Sequence, residues 1–115
     1  MKGDTAPLLQ EYRGVSKGAS LEDVSSSEVP AGIMWELRHV AAENETTAFT
    51  SLRLGITRGT TFIPLNEQIA PLAATLYDDG DPYYLAPGER LTARFKGTAS
   101  ADKLVLRFNG LAREV

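Results

Sequence analysis

Hydrophobic and polar residues alternate most regularly between Leu85 and Gly110. Leu91, Ala93 and Phe95 interleave with Thr92, Arg94 and Lys96, so an extended strand sends the apolar set to one face and the polar set to the other. The pattern returns after a short break. Leu104, Leu106 and Phe108 share one face while Lys103, Val105 and Arg107 share the opposite one, and Gly97 to Asp102 between them is small and polar. Pro87-Gly88 presets a turn ahead of the first strand, because proline fixes φ and glycine accepts a positive φ. The stretch predicts a β-hairpin.

The remainder of the chain reads as shorter strands between turns. Met1 to Ala6 has nothing to bury and is expected to be a loose end, and Leu8 to Tyr12 is a short strand or a turn of helix. Arg13 to Glu28 carries Gly14, Gly18 and Ser25-Ser26-Ser27, with only Val15, Leu21 and Val24 as anchors, and reads as an arm. Val29-Pro30-Ala31-Gly32 repeats the later turn chemistry and leads into a strand from Ile33 to Ala42. Strict alternation there puts Ile33, Trp35, Leu37, His39 and Ala41 on one face. A second hairpin follows, with Leu52, Leu54 and Ile56 inward and Arg58-Gly59-Thr60 as its turn. Pro64 assigns the return strand to a sheet edge or a bend, since proline cannot donate to a central ladder. Asn66 to Tyr77 is mostly extended or looped, with a short strand near Ala74 to Tyr77. Asp78 to Pro82 is a turn, Tyr83 to Leu85 a short strand, and Leu111 to Val115 a tail that adds little.

Turn signals roughly every ten residues and no long amphipathic helix predict an all-β chain: a single β-sandwich, jelly-roll-like, of about seven to eight short antiparallel strands. Residues 1–28 form an extended N-terminal arm or loosely packed segment, and 29–115 the sandwich. Edge strands of such a domain need cover, which neighbouring subunits can supply.

A chain of 115 residues closes such a core without staples, and it contains no cysteine, so disulfides, thiolate nucleophiles and thiolate metal sites are excluded. The net charge of -3 and the lack of a basic patch argue against nucleic acid as a partner. No apolar run approaches a membrane span, and the first residues lack the apolar stretch of a secretory signal, so the reading is a soluble protein not secreted by a cleaved signal. Asn44-Glu45-Thr46 matches a glycosylation acceptor and, without an export signal, is treated as chance.

Candidate chemistry is sparse. His39 is the only histidine, and its place beside Trp35 and Leu37 suggests a partly buried side chain donating to a backbone carbonyl. No G-x-S-x-G elbow and no glycine-rich phosphate loop is present, so the chain reads as a non-enzyme with no cofactor. Asp78, Asp79 and Asp81 surround Gly80 and make the densest acidic cluster, a weak candidate for a hard cation such as calcium and otherwise a solvated turn. Tyr77, Tyr83 and Tyr84 flank it. Aromatic rings beside acids can stack on a sugar, which makes a carbohydrate-binding module the alternative, with core or interface tyrosines as the simpler reading. Leu8, Leu9 and Tyr12 in the arm join the three tyrosines as candidate contact residues.

The Val-Pro-Ala-Gly entry, the Trp strand ending in Glu-Asn (Val29 to Asn44), the Leu-x-Pro-Gly-Glu-x-Leu segment (Leu85 to Leu91) and the Ser-x-Asp-x-Leu strand closing on Gly110 resemble small β-sandwich structural proteins of tailed bacteriophages. The resemblance implies a non-enzymatic virion component, made in the host cytoplasm: a capsid decoration or cement protein, or a neck, collar or tail adaptor. It also implies partners, namely copies of itself and a capsid or neck protein, with no catalytic residue to transfer.

Overall fold

Alternation along the chain is satisfied by strands throughout. The computed structural model describes residues 4–115, and among them no residue is helical. The strands are β1 (Thr5–Val15), β2 (Leu21–Ser25), β3 (Ile33–Asn44), β4 (Ser51–Arg58), β5 (Thr61–Ile69), β6 (Tyr77–Asp79), β7 (Tyr83–Leu85), β8 (Arg90–Lys96) and β9 (Lys103–Glu114). One sheet runs β1-β9-β3, with β6 and β7 both pairing along the far side of β3; the other runs β2-β8-β4-β5. Every pairing is antiparallel. Counting β6 and β7 as one interrupted strand gives the strand order of a jelly roll, as the turn spacing predicts.

The core is the space between the inner faces. The β2-β8-β4-β5 sheet contributes Val24, Leu91, Ala93, Phe95, Leu52 and Leu54; the other sheet contributes Trp35, Leu37, Val40, Leu104, Leu106 and Phe108. Phe108 is its aromatic centre, 5.6 Å from Trp35 and stacked at 6.0 Å on Tyr12. Such pairs add to the burial of the rings themselves.

Four expectations need correction. Leu85 to Gly110 does not form a hairpin: β8 pairs with β2 and β4, and β9 pairs with β1 and β3, so the chain crosses between sheets at Gly97 to Asp102. The two apolar faces meet across the core instead of lying side by side. Alternation fixes which face a strand buries but not which sheet it joins. The first 28 residues are not an arm. β1 pairs with β9 along its whole length and β2 is an edge of the other sheet, while any loose end over 1–3 lies outside the described residues. The sparse anchors suffice because Tyr12 packs on Phe108 and Val24 enters the core. The tail is likewise structural, since β9 extends to Glu114 and pairs on both sides.

The fourth correction concerns β3. Its register shifts between Leu37 and His39, so alternation restarts there: Trp35 and Leu37 face the core, then Val40, Ala42 and Asn44 do. His39 therefore turns outward. Arg38 is the extra residue, and a bulge of this kind reverses the face that a strict period-2 reading assigns downstream. The β4-β5 hairpin forms as expected, with a second register shift where Gly55 meets Pro64. There a Cβ on Gly55 would lie 2.0 Å from the Ile63 carbonyl oxygen, so only glycine fits.

Candidate functional site

The acidic turn is built from the inside out. Asp79 is the inward residue of β6 and is buried. Its Oδ2 accepts from the Tyr83 hydroxyl at 2.6 Å and from Asn66 Nδ2 at 2.8 Å, and its Oδ1 accepts from the Asp81 amide at 3.0 Å. The Tyr77 hydroxyl completes the cluster by donating to Asn66 Oδ1 at 2.8 Å. Burial acts to raise the Asp79 carboxyl, but the bonds donated by Tyr83, Asp81 and Asn66 outweigh it and hold the group below the ordinary carboxylate value. Tyr83 is raised, first by burial and then by Asp79.

This arrangement separates the residues proposed to act together. Asp78 neighbours Asp79 on a strand and so projects to the opposite face, where it lies 3.5 Å from His39 Nδ1. No group of three or more acidic or histidine side chains among the described residues is placed to hold a metal ion, so Asp78, Asp79 and Asp81 do not converge on a cation. Tyr77 and Tyr83 are tied to the Asp79 cluster and only Tyr84 is exposed, on the other face of β7. The three tyrosines do not make a stacking platform. His39 is exposed and its partner is Asp78, not a backbone carbonyl.

A second buried carboxylate, Asp102, pins the crossover. It accepts from Asn44 Nδ2 and the Ala99 amide, each at 2.8 Å, and from the Thr47 hydroxyl. Burial raises it and the bonds from Thr47, Asn44 and Ala99 lower it, with the net shift downward. Both buried aspartates thus have donors on their oxygens, an arrangement suited to structure.

The outer surfaces differ from each other. On the β1-β9-β3 sheet, Arg13 bonds Glu11 and Glu45, and Arg107 bonds Glu11 and Glu43, a charged lattice across three strands. Arg13 and then Arg107 hold the Glu11 carboxyl below its usual value. On the other sheet, Arg94 is held by both oxygens of Asp23 and sits 4.4 Å over the Phe62 ring, and Arg53 pairs with Glu67. A groove of about 520 Å³ lies beside them, lined also by Leu21, Ser51, Ile69 and Lys96.

The least covered element is β5. It places no residue in the buried core, and it and the loop after it expose Ile63, Leu65, Ile69, Leu72 and Leu76. Among the expected contact residues, Leu9 is 83% exposed, whereas Leu8 and Tyr12 face inward and pack on the core. Sequence reasoning named none of these five residues: Pro64 marks the edge strand, but nothing in the sequence separates its exposed apolar residues from buried ones.

No protein-family model matches the sequence, and no curated protein does. Solved structures with a similar course include the Drosophila NLP core, described for pentamer formation and histone binding, at 9% identity and a TM-score of 0.45 over 91% of this chain and 96% of that one. A family 4 carbohydrate-binding module is similar at 14% identity and a TM-score of 0.36, covering 86% of this chain and 79% of that one. The CBM22-1–GH10 portion of a Clostridium thermocellum xylanase matches at 13% identity and a TM-score of 0.40, covering 95% of this chain and 26% of that one. These are distant likenesses of β-architecture and carry nothing about what this chain binds.

Proposed function

We propose that the chain is a non-enzymatic structural protein of a virion, a capsid decoration or cement protein that seats on a capsid protein and on copies of itself. The observation that carries this reading is that β5 and its following loop, at one edge of the sandwich, leave Ile63, Leu65, Ile69, Leu72 and Leu76 exposed. Single exposed apolar residues are ordinary, but five of them concentrated on one edge strand and the loop after it are what a contact surface provides. Each such side chain moved fully from water into an interface contributes about 1.5–3 kcal/mol. Weak contacts of this size become strong when symmetry repeats them over a shell. The hydrogen bonds donated to the buried Asp79 and Asp102 agree with a scaffold role. The resemblance to phage sandwich proteins selects the particle.

Purified particles from lysates of the host culture, analysed by quantitative mass spectrometry, test the assignment. A ratio to the major shell protein near unity or a simple fraction of it is expected. A few copies per particle moves the chain to the neck, collar or tail. Absence from particles overturns the virion reading and leaves a carbohydrate-binding module, with Tyr84→Ala on a glycan array as its first test. Leu65→Ser combined with Ile69→Ser and Leu72→Ser should keep the fold and lose incorporation.

A further inference from the structure

The four ends of the two sheets are not equally protected. β2 is five residues long and β6 and β7 are three each, too short to template much pairing. β5 is longer but carries Pro64 and a bulge beside it. These are the usual ways a sheet edge is blunted. β1 has neither device in its middle: it is 11 residues long and its register with β9 is unbroken from Thr5 to Val15.

Its hydrogen-bonding parity follows from the two ends. The Ser16 amide donates to the Asp102 carbonyl, and the Asp4 carbonyl accepts from the Glu114 amide. With an unbroken register between them, the even-numbered residues exchange bonds with β9 and the odd-numbered ones turn their N–H and C=O groups to the open edge. The odd side chains are also the exposed ones. Pro7, an odd residue, has no N–H to offer, so the usable edge begins at Leu9.

We infer that β1 pairs antiparallel with β1 of a second copy about a two-fold axis at Tyr12, joining two sheets into one. The register is chosen by chemistry. Centred on Tyr12, Leu9 lies opposite Val15 of the second copy and Glu11 opposite its Arg13, and the two-fold repeats both pairs. Centring on residue 11 would oppose two glutamates and on residue 13 two arginines, each unfavourable across a ladder. Leu9 and Val15 are 83% and 64% exposed in the single chain, so the pairing covers two of its most exposed apolar side chains. Arg13 already bonds Glu11 within one chain, and the same atoms reach across the axis at little change in solvation. This inference rests on the assembly reading and names one of its partners.

Sedimentation equilibrium of the purified chain across the micromolar range tests it, with circular dichroism as the fold control. A dimer is expected. R13E, which opposes two carboxylates twice in each dimer, should weaken it by about tenfold; the swap E11R with R13E should restore it. Leu9→Pro removes an N–H that faces the open edge and leaves the β9 ladder whole, so it should yield a folded monomer, whereas Gln10→Pro should damage the fold. Because the chain has no cysteine, mixing L9C with V15C should give a disulfide cross-link under mild oxidation that neither variant gives alone. A monomeric wild type, a dimer undiminished by Leu9→Pro, or equal cross-linking of L9C by itself would overturn the pairing. A monomer found in particles would sink this inference and leave the assembly reading standing, while a β1-paired dimer absent from particles would do the reverse.

Discussion

The Tyr83 hydroxyl donates to Asp79 Oδ2 at 2.6 Å, and that bond closes the β6-β7 turn against the sheet. Both residues are buried, and Asn66 of β5 bonds the same oxygen from the opposite sheet, so the cluster also joins the two layers at their β5 and β6 edges. Asp79→Ala leaves Tyr83 and Asn66 without an acceptor and should destabilise the fold by about 1–3 kcal/mol. Tyr83→Phe keeps the ring and should do less. Urea denaturation of the two variants checks the order; equal losses would show that the Tyr83 bond alone accounts for what Asp79 contributes and that its bond to Asn66 adds nothing.

Acid should unfold the protein partly through Asp79 and Asp102. Both carboxyls are lowered in the folded state, against burial, by the bonds donated to them. A group depressed in this way adds stability that is fully present above its unfolded value of about 3.9 and disappears as pH falls through the folded value. Stability should therefore be level near neutrality and fall below about pH 4. Asp102→Asn should be less stable at neutral pH and show a flatter acid limb, measured by thermal melts across the pH range.

Removal of residues 1–20 should abolish cooperative folding. It deletes β1, strips the Tyr12 ring from Phe108, and opens one side of β9 along its whole length. A sharp melt with native near-ultraviolet dichroism in the truncated chain would show that β1 is dispensable.

The legible part of this fold was the set of local faces. Leu91, Ala93 and Phe95 are all buried, as are Leu104, Leu106 and Phe108, and the Leu52-Leu54 hairpin closes at its predicted turn. The pairing of strands was not legible, because a face that is apolar serves equally beside a neighbour in one sheet or opposite it across the core. β1 was hidden for a related reason: an edge strand buries only Leu8 and Tyr12 partly, and its Pro7, Gly14 and charges read as irregular chain. Of the six candidate contact residues only Leu9 and Tyr84 are exposed, since exposed and buried apolar or aromatic residues look alike in a sequence.

Glycines in this chain should divide sharply on substitution. A Cβ on Gly110 would sit 2.1 Å from the Glu36 carbonyl oxygen, a backbone atom that cannot rotate away. Gly110→Ala must part β9 from β3 and should destabilise by about 3 kcal/mol or more, the upper end of what overpacking costs. Gly59, at φ +61 in the β4-β5 turn, has open space around it, so Gly59→Ala should lose only about 1–2 kcal/mol from the left-handed backbone. Comparable losses in chemical denaturation would refute the steric assignment.

The bulge at Arg38 makes the most discriminating prediction. Leu37 pairs with Gly110 and His39 with Asn109, its immediate neighbour, so Arg38 is surplus to the ladder. Deleting it leaves Leu37 and Val40 facing the core and His39 facing Asp78, and simply continues the alternation. Deleting Ala41 instead moves every later residue of β3 to the wrong face, exposing Ala42 and Asn44 or forcing a slip against β9. The Arg38 deletion should therefore retain a cooperative thermal transition and the Ala41 deletion should not. If both deletions unfold the chain, the bend that the bulge imparts to β3 is itself required to wrap the sheet over Phe108.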